Sequence, residues 1–433
     1  MDLHIFKNTQ GKNEALGWQP RVNSLRIVER PNTELHMIVL ANRKIKMTAK
    51  ITFYPVDNGD MTLIELESEE KLLLDCFIKK RADDDNDDSA RDVATDLRET
   101  LTRDKLGRLY VDVMMLSHPD ADHCSGLEKH FHCGPPGEWV KTDDKILIRE
   151  MWSSPMIFRR ASKNMPLCSD AKAWAKEARR RVKYFSDGKT LANGERILVL
   201  GEDEDDKTDK LQAILIKVGE TIEAVNGDSS AKLSVRLIGP IPDSEVGDED
   251  EDPLSKNNSS IIANFKIEAE RDVEACYFLT GGDAEVEIWN EVWAREKSNK
   301  SVLKYDILQA PHHCSWHSLS FDKWSEKGRK GEVETDALNA LSQARIGAAI
   351  VSSSKPIKDN HDNPPCIGAK EVYENIENCS DFYCTGEHPD EKNVKPLVFE
   401  ITNGGHSLKN LTAGIITAAV GIGATARKER GHG

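Results

Sequence analysis

The sequence predicts an α/β protein whose strands end in histidine and aspartate residues. Apolar segments at 111–116, 276–279, 306–309 and 348–352 have the length and composition of buried strands. Segments with helical character alternate with strands along the chain, and this alternation is typical of layered α/β domains. Each of the four apolar segments is followed by residues that can bind a metal ion. The pattern therefore predicts a sheet with potential metal ligands along one edge.

The elements before the first ligand segment are predicted as follows. Residues 1–50 form a lead-in with one strand-like segment at 36–40. Two neighbouring strands follow at 51–66 and 71–78. A helix is predicted from Ser89 to Leu106, because a serine hydroxyl can accept a hydrogen bond from a free N–H group at a helix start.

The segment after the strand at 111–116 is the richest in potential ligands. His118, Asp120, Asp122 and His123 lie within six residues of one another. Imidazole suits zinc or manganese, and carboxylate oxygens can be shared between metal ions. A polar turn is the alternative interpretation, but the same chemistry recurs downstream, which favours a metal site.

Three later strand ends carry the same kinds of side chain. Asp283 follows the strand at 276–279, the pair His312 and His313 follows the next strand, and His361 follows the last one. Ligands at strand ends hold metal geometry better than ligands on a free loop. Together the four strand ends predict a two-metal site at one edge of a sheet.

The order of these motifs resembles the metallo-β-lactamase superfamily, and within it the hydrolase domain of the DNA-uptake protein ComEC and its stand-alone relatives. The matching segments are Val56–Ile64, Leu72–Cys76, His118–His123, Asn257–Ser260, Thr280–Glu285 and Pro311–Ser315. The resemblance implies an αββα sandwich. It predicts a hydrolase domain at 51–405 with an insertion at about 134–256, followed by a C-terminal tail at 406–433.

The chain departs from the superfamily pattern near the first metal position. Most members have a histidine where this chain has Asp120, although the ComEC-like group has aspartate there. Many members also have a metal-binding histidine in a region where this chain has none, between His132 and His312. That ligand is missing or is replaced by His130, His132, an acidic residue or water. Cys314 stands where a glycine usually follows the paired histidines.

The resemblance implies a role for each ligand around two divalent metal ions. One ion would be held by His118 and Asp120. The other would be held by Asp122, His123 and one of the paired histidines, and Asp283 would bridge the two. Zinc is favoured for its affinity, and manganese fits the same ligands almost equally well.

Further roles are predicted for residues around these ligands. His312 is favoured as the ligand of the pair because it comes first after the strand, which leaves His313 to contact substrate or to support the site by a hydrogen bond. Asp122 would orient the attacking hydroxide. His361 would donate a proton or bind phosphate, with an ordinary loop histidine as the alternative. Asp75 would support the ligands from behind.

Charge is distributed unevenly along the chain. The net charge of −15 argues against an affinity for nucleic acid that arises from bulk charge. Residues 149–185 run against this trend, with ten lysines or arginines and three acidic residues, and Trp152, Phe158 and Trp174 lie among them. This segment could hold a phosphate-rich substrate, or it could be a solvated helix face above a buried tryptophan. The surrounding insertion could be a lid, a dimer arm or a substrate platform.

Cysteine usage and the chain termini predict a cytoplasmic protein. The nine cysteines include no Cys-x-x-Cys pair, which favours free thiols. Cys124 and Cys314 flank the ligands and are either soft accessory ligands or small packing groups. The first ten residues lack the apolar core of a secretion signal. The apolar segment 412–426 is shorter than a membrane span, so the tail is expected to dock on this protein or on a partner rather than in a membrane.

These observations give one main hypothesis and two alternatives. The main hypothesis is a metal-dependent hydrolase, a binuclear phosphodiesterase or nuclease that acts on nucleic acid through a metal-bridging hydroxide. The first alternative is a hydrolase of a small phosphoester or cyclic nucleotide, which the acidic composition favours. The second is a partner-bound subunit with a weak or idle metal site, which the missing histidine and the apolar tail favour.

Overall fold

The computed structural model describes residues 47–80, 90–155, 167–201, 208–241, 257 and 259–409. The predicted strand at 36–40, Phe158 and the apolar segment 412–426 lie outside these residues. The described part of the chain belongs to a unit that begins at Met47.

The first sheet is mixed and is built mainly from the earlier part of the chain, with two strands added from its end. Its strands are β1 (Ala49–Phe53), β2 (Thr62–Glu65), β3 (Lys71–Leu74), β4 (Thr102–Arg103), β5 (Leu109–Leu116), β6 (Phe131–His132), β7 (Ile146–Ser153), β8 (Arg196–Leu200), β9 (Leu215–Ile216), β17 (Leu397–Thr402) and β18 (Gly405–Leu408). The main path runs β18-β17-β1-β2-β3-β5-β7-β8-β9, with β4 beside β5 and β6 beside β7. Because β3, β5 and β7 are parallel, their carboxyl ends meet at one edge.

The second sheet is also mixed and runs in chain order. Its strands are β10 (Thr221–Ile222), β11 (Leu233–Gly239), β12 (Ile262–Ala269), β13 (Asp272–Thr280), β14 (Tyr305–Gln309), β15 (Ala344–Ser352) and β16 (Cys379–Cys384). The strands from β13 to β16 are parallel, so their carboxyl ends also share one edge. The segments that follow β13 and β14 carry Asp283, His312 and His313.

Within the described ranges, nine α-helical segments connect the strands. They are α1 (Val93–Thr100), α2 (Ala121–Cys124), α3 (Leu127–His130), α4 (Ser169–Ser186), α5 (Val286–Glu296), α6 (Pro311–Cys314), α7 (Trp324–Lys327), α8 (Thr335–Leu341) and α9 (Ile367–Glu374). The prediction of one helix from Ser89 to Leu106 is wrong in its extent. Helix α1 begins at Val93, because the Asp92 carboxylate accepts a hydrogen bond from the Thr95 N–H at 2.9 Å, and the chain then turns into β4.

In the described part of the chain, three apolar cores separate the layers of helices and sheets. Between the sheets, Phe53 packs edge-on against Phe278 with ring centroids 5.6 Å apart. Leu97 of α1 and Trp174 of α4 join the core on the other face of the first sheet, and Trp289 of α5 joins the core on the other face of the second. Burying each large apolar side chain contributes roughly 1.5–3 kcal/mol relative to exposure. The layers are helix, sheet, sheet and helix, so the predicted α/β class is confirmed as a sandwich of two mixed sheets with helices.

Residues 134–256 contribute strands to both sheets, among them β7 in the first and β11 in the second. The tryptophans of the basic segment are fully buried, and the Trp174 indole donates a hydrogen bond to Ser153 Oγ at 2.9 Å. Four cationic side chains lie on the exposed face of α4. They are Lys172, Lys176, Arg179 and Lys183. The tryptophans of this segment therefore belong to the core, and these four cations form a solvated helix face.

Candidate metal centre

Backbone hydrogen bonds join the ligand loops of the two sheets. The Ile261 N–H, just before β12, donates to the Ser117 carbonyl at the end of β5 at 3.0 Å. The Asp60 N–H in the turn after β1 donates to the Asp122 carbonyl at 3.1 Å, and the Ser353 hydroxyl donates to the carbonyl of neighbouring Gly59 at 2.7 Å. These contacts hold the carboxyl ends of β5, β13, β14 and β15 around one point.

Four side chains converge at that point. Asp122, His123, Asp283 and His313 each offer a ligand atom, and these atoms all lie within 4.8 Å of one another. His123 Nε2 is 3.1 Å and His313 Nε2 is 3.5 Å from the same carboxylate oxygen, Asp283 Oδ1. His313 Nε2 is also 3.5 Å from Asp122 Oδ2. The structure thus forms a buried group that could hold a divalent cation.

A second set of nitrogens faces the other oxygen of the same carboxylate. His312 Nε2 is 3.7 Å and His118 Nε2 is 3.9 Å from Asp283 Oδ2. His118 Nε2 is also 3.8 Å from Asp120 Oδ2. Asp283 therefore lies between two sets of potential ligands, with one set facing each of its oxygens.

The paired histidines lie on opposite sides of Asp283 from those that sequence order suggested. His313, rather than His312, lies beside Asp122 and His123, while His312 lies on the side of His118. The cause is a left-handed backbone turn, with φ of 49° at His312, 52° at His313 and 66° at Cys314. Residues with a side chain seldom adopt this conformation, and such strain often occurs at functional sites.

Hydrogen bonds outside the cluster hold the left-handed turn in place. The His312 N–H donates to the Gly282 carbonyl at 2.9 Å, and the Cys366 N–H donates to the Cys314 carbonyl at 2.9 Å. His313 Nδ1 lies 3.1 Å from the Ser353 carbonyl, which fixes the ring so that Nε2 points to Asp283. The turn is therefore supported from both sides.

The ring of His123 is oriented in the same way by Asp75. His123 Nδ1 is 2.8 Å from Asp75 Oδ2, and Asp75 also accepts hydrogen bonds of 2.6 Å from the Ser117 N–H and hydroxyl. A carboxylate behind a histidine fixes the protonated Nδ1 tautomer and frees Nε2 as a ligand. This geometry is the supporting arrangement that was predicted for Asp75.

Asp60 also contributes to the site, and the sequence analysis assigned it no role. Its buried carboxylate lies 3.4 Å from His313 Nδ1 and 3.8 Å from His123 Nδ1. Asp60, Asp75 and His123 form a second group that could hold a metal ion. Its place in the segment Asp57–Met61, between two apolar strands, is the feature that could have drawn attention to it.

Several buried atoms of the cluster have no hydrogen-bond partner within the described part of the chain. They are His118 Nε2, His123 Nε2, Asp283 Oδ1, His312 Nδ1 and His313 Nε2. His123 Nε2 lies 3.1 Å from Asp283 Oδ1, at the upper end of the hydrogen-bond range, and the distances of 3.5 Å from His313 Nε2 and 3.9 Å from His118 Nε2 to the same carboxylate are too long for hydrogen bonds. Two ligands about 2.1 Å from a tetrahedral ion lie about 3.4 Å apart. The spacing and the donor types therefore fit divalent metal ions.

The electrostatics of the cluster favour an ionised carboxylate among basic nitrogens. Although burial opposes its charge, Asp283 has a pKa well below its ordinary value because His313 and His123 face it. Burial disfavours charge on His123, yet Asp283 and Asp75 hold its pKa well above the ordinary value. Burial and the neighbouring His123 lower the pKa of His118 to about 3, so His118 is neutral and ready to coordinate.

The close packing of the Asp283 loop against Trp289 and Ser260 depends on two glycines. A Cβ atom on Gly281 would lie 2.5 Å from the Trp289 ring, and one on Gly282 would lie 2.9 Å from Ser260 Oγ. Gly282 also has φ of 50°. Because these positions exclude a side chain, the Asp283 N–H can donate to Ser260 Oγ at 3.0 Å and the carboxylate is fixed.

Other candidate ligands lie away from the group of four. Among the residues described, neither His130 nor His132 joins a potential metal group, and His132 Nε2 lies 2.9 Å from the Pro135 carbonyl. Strand β7, which neighbours β5, ends at Ser153 and offers no histidine at this edge. Among the described residues, the candidate ligands on the side of His118 and Asp120 form no group of three whose atoms all lie within 4.8 Å, unlike those on the side of His123.

His361 and the two flanking cysteines have different surroundings. His361 is exposed in a turn, and across the described ranges no ion pair joins it to the cluster, so its catalytic role stays a prediction. Cys314 is fully buried in the helix-side core of the second sheet. The Cys124 thiol donates to the Asp120 carbonyl at 3.0 Å and belongs to no potential metal group.

Comparison of the chain with protein-family models and with curated proteins finds no match. Across the described ranges, no helix is long and apolar enough to cross a membrane.

Proposed function

We propose that this protein is a metal-dependent hydrolase that cleaves phosphodiester bonds, with nucleic acid as its substrate class. The observation that carries the proposal is the position of Asp283 between two sets of histidines and aspartates. His123 and His313 face one carboxylate oxygen, and His118 and His312 face the other. Two sets of ligands around a shared carboxylate are the arrangement used in two-metal hydrolysis of phosphate esters.

The ligand sets would be divided as follows. One cation, zinc or manganese, would be held by Asp122, His123, Asp283 and His313. A second would be held by His118, Asp120, His312 and the other oxygen of Asp283. Bound cations supply a water of lowered pKa and stabilise the charge that develops on the phosphoryl oxygens. Among the described residues, only the ligand atoms of the first position all lie within 4.8 Å of one another, so the second position is expected to bind its metal more weakly.

The chain's own side chains would position the substrate and the attacking water. Asp122 is 38% exposed, and because His313 and His123 outweigh its burial, its pKa is below the ordinary value. It is therefore ionised near neutral pH and can accept a hydrogen bond from the attacking water. His312, which is 15% exposed, is the more accessible of the two histidines beside Asp283 Oδ2, because His118 is fully buried.

The motif order and the layer order support a more specific assignment. We infer membership of the metallo-β-lactamase superfamily, with ComEC-like hydrolase domains as the nearest resemblance. The support comes from the segment His118–His123, the Gly-Gly-Asp turn and the paired histidines, which lie at the carboxyl ends of β5, β13 and β14. The two-sheet sandwich with outer helices is compatible with this assignment.

A small phosphoester or cyclic nucleotide is the second candidate substrate class. The net charge of −15 favours it, because a polyanion would be repelled by the bulk field of the protein. The burial of Trp152 and Trp174 also favours it, since these rings cannot stack on bases. The two classes differ in salt dependence, because binding of a polyanion weakens steeply with salt.

The test is hydrolysis by metal-stripped protein reloaded with zinc or with manganese. The substrates are bis-p-nitrophenyl phosphate and labelled single- and double-stranded DNA and RNA, with bound metal counted in parallel. The test variant is Asp122→Ala. Asp336→Asn, an exposed aspartate of α8, is the matched control.

Each outcome has a distinct meaning. Cleavage of nucleic acid that requires metal, is lost in Asp122→Ala and is kept in Asp336→Asn supports the proposal. Cleavage of the small diester alone favours the second substrate class. Bound metal without cleavage of any diester contradicts a phosphodiesterase and favours a subunit with an idle metal site.

A further inference from the structure

Two cysteine sulfurs lie side by side next to the ligand loop. Cys124 Sγ, at the end of α2, is 3.5 Å from Cys168 Sγ at the start of α4. All nine cysteines of the chain are free thiols in the structure. Cys124 and Cys168 are 44 residues apart in sequence, so the fold alone brings them together.

The two thiols differ in environment. Cys124 is fully buried, whereas Cys168 is partly exposed and is the N-cap residue of an 18-residue helix. Cys168 Sγ accepts a hydrogen bond from the Ala171 N–H at 3.4 Å. A helix N-terminus favours a thiolate, and the contact with Cys124, together with this N–H group, lowers the pKa of Cys168 to about 6. Cys168 is therefore the accessible nucleophile of the pair and Cys124 is the resolving thiol.

Cys124 is connected to the candidate ligands through the chain and through one hydrogen bond. Cys124 directly follows His123, and its thiol donates to the Asp120 carbonyl at 3.0 Å. A disulfide sulfur carries no proton, so that hydrogen bond would be lost on oxidation. The two sulfurs would also move from 3.5 Å to about 2.05 Å apart, which displaces the loop that carries Asp122 and His123.

We propose that Cys124 and Cys168 form a redox-active dithiol that a hydroperoxide converts to a disulfide, and that the closed disulfide weakens metal binding by the neighbouring loop. The second half of this inference rests on the proposed metal-dependent function. The first half concerns the two sulfurs alone and stands independently of it.

The chemistry requires only the hydroperoxide as co-reactant. The Cys168 thiolate attacks the terminal peroxide oxygen, so that an S–O bond forms, the O–O bond breaks and the leaving alkoxide or hydroxide takes up a proton. Cys124 sulfur then attacks Cys168 sulfur, the S–S bond forms, and the S–O bond breaks to release hydroxide, which leaves as water with the Cys124 proton. Two thiols are oxidised by two electrons, and one peroxide is reduced.

The test is oxidation of the reduced full-length protein with one equivalent of hydrogen peroxide. Free thiols are then alkylated and peptides are mapped by mass spectrometry. We expect a Cys124–Cys168 crosslink that dithiothreitol reverses and that is absent from Cys168→Ser. Cys379→Ser is the matched control, because Cys379 is also partly exposed but its thiol donates to the Asp381 carbonyl at 3.4 Å. This variant should form the crosslink normally.

Zinc affinity, measured by competition with a chromophoric chelator, tests the second half. Oxidised wild-type protein should bind zinc more weakly than reduced protein, by on the order of tenfold, and Cys168→Ser should not respond to peroxide. Alkylation of Cys124 and Cys168 without any crosslink would overturn the dithiol. A crosslink with unchanged zinc affinity would overturn the proposed effect of the disulfide on metal binding. If reduced protein fails to bind zinc, the metal site is overturned, but an observed crosslink still supports the redox-active dithiol.

Discussion

Two buried charged clusters in this molecule differ in how completely they are hydrogen-bonded. In the first, Arg181 of α4 is fully buried and its guanidinium donates to Glu177 Oε1 at 2.7 Å. It also donates to the Arg196 carbonyl at 2.9 Å and to the Ile148 carbonyl at 3.0 Å. This cluster joins α4 to two strands of the first sheet and requires nothing further.

The second cluster, around Asp283, is incomplete. His118, His123 and His313 turn Nε2 atoms toward one carboxylate, and these buried atoms have no hydrogen-bond partner in the described residues. A buried polar group without a partner costs about 1–3 kcal/mol. The difference teaches that burial and charge do not by themselves indicate function. The cluster that could hold a metal ion is the one whose buried nitrogens face a single carboxylate and lack hydrogen-bond partners among the described residues.

Replacement of the shared carboxylate should break the second cluster most severely. In Asp283→Asn, both ligand sets lose the negative charge of the carboxylate that they share, so we expect zinc affinity to fall by about a thousandfold, which corresponds to roughly 4 kcal/mol. Hydrolysis should fall to background. Calorimetry, metal counting and the diester assay measure these effects, and circular dichroism should show a retained fold. Wild-type turnover in this variant would contradict the bridging position of Asp283.

The corresponding change in the first cluster should affect stability and not metal binding. Arg181→Met removes the fully buried one of the two arginines that pair with Glu177, while Arg180 remains. Breaking a buried ion pair costs about 3–5 kcal/mol, and the remaining arginine places the expected loss at the lower end, about 3 kcal/mol. Chemical denaturation should show this loss, while zinc stoichiometry stays unchanged. Lys176→Met, on the exposed face of the same helix, should stay within about 0.5 kcal/mol of wild type. A lower zinc stoichiometry in folded Arg181→Met would remove the distinction between the clusters.

The sequence predicted those features of the fold that depend on local pattern. Apolar runs predicted β5, β13, β14 and β15. The residues that follow these strands converge because parallel strands share a carboxyl edge, which is a general property of such sheets. The length of α1 was not predictable in this way, since β4 pairs with β5 and ends the helix early.

Two features of the site depended on contacts that are remote in sequence. The sequence favoured His312 as the neighbour of Asp122, whereas the structure places His313 there. The cause is a left-handed turn, held by hydrogen bonds to Gly282 and Cys366, that sets the orientation of both side chains. Such a turn between residues with side chains has no local sequence pattern. Asp60 was missed because its partner, His313, lies in the other half of the chain.

A pH experiment tests a buried carboxyl group of β7, Glu150, which lies near the charges of Arg196 and Arg181. Burial raises the pKa of Glu150, which accepts a hydrogen bond from the Asn226 N–H, from 4.5 to about 7. Between these values the folded state keeps a proton that the unfolded state has lost, so the free energy of unfolding decreases as pH rises. A shift of this size corresponds to on the order of 3 kcal/mol.

Glu150→Gln removes this titration and keeps an acceptor for the Asn226 N–H. The stability of the variant relative to wild type should therefore increase as pH rises from 4.5 to 7 and level off above that. Urea denaturation across this range measures the difference, and zinc affinity should not change. A difference that is flat with pH would show that Glu150 is ionised throughout.

The smallest effect, and the sharpest test of how the second cluster is oriented, comes from the two supporting carboxylates. Asp75 lies 2.8 Å from His123 Nδ1, so Asp75→Asn should weaken zinc binding by about 10–100-fold. Asp60 lies 3.4 Å from His313 Nδ1, but the Ser353 carbonyl at 3.1 Å still orients that ring. Asp60→Asn should therefore cost less, about tenfold at most. Chelator competition measures the zinc affinity of both variants. A larger loss of affinity in Asp60→Asn than in Asp75→Asn would mean that the Ser353 carbonyl does not orient His313. The orientation of this ring would then depend on the Asp60 charge rather than on the backbone.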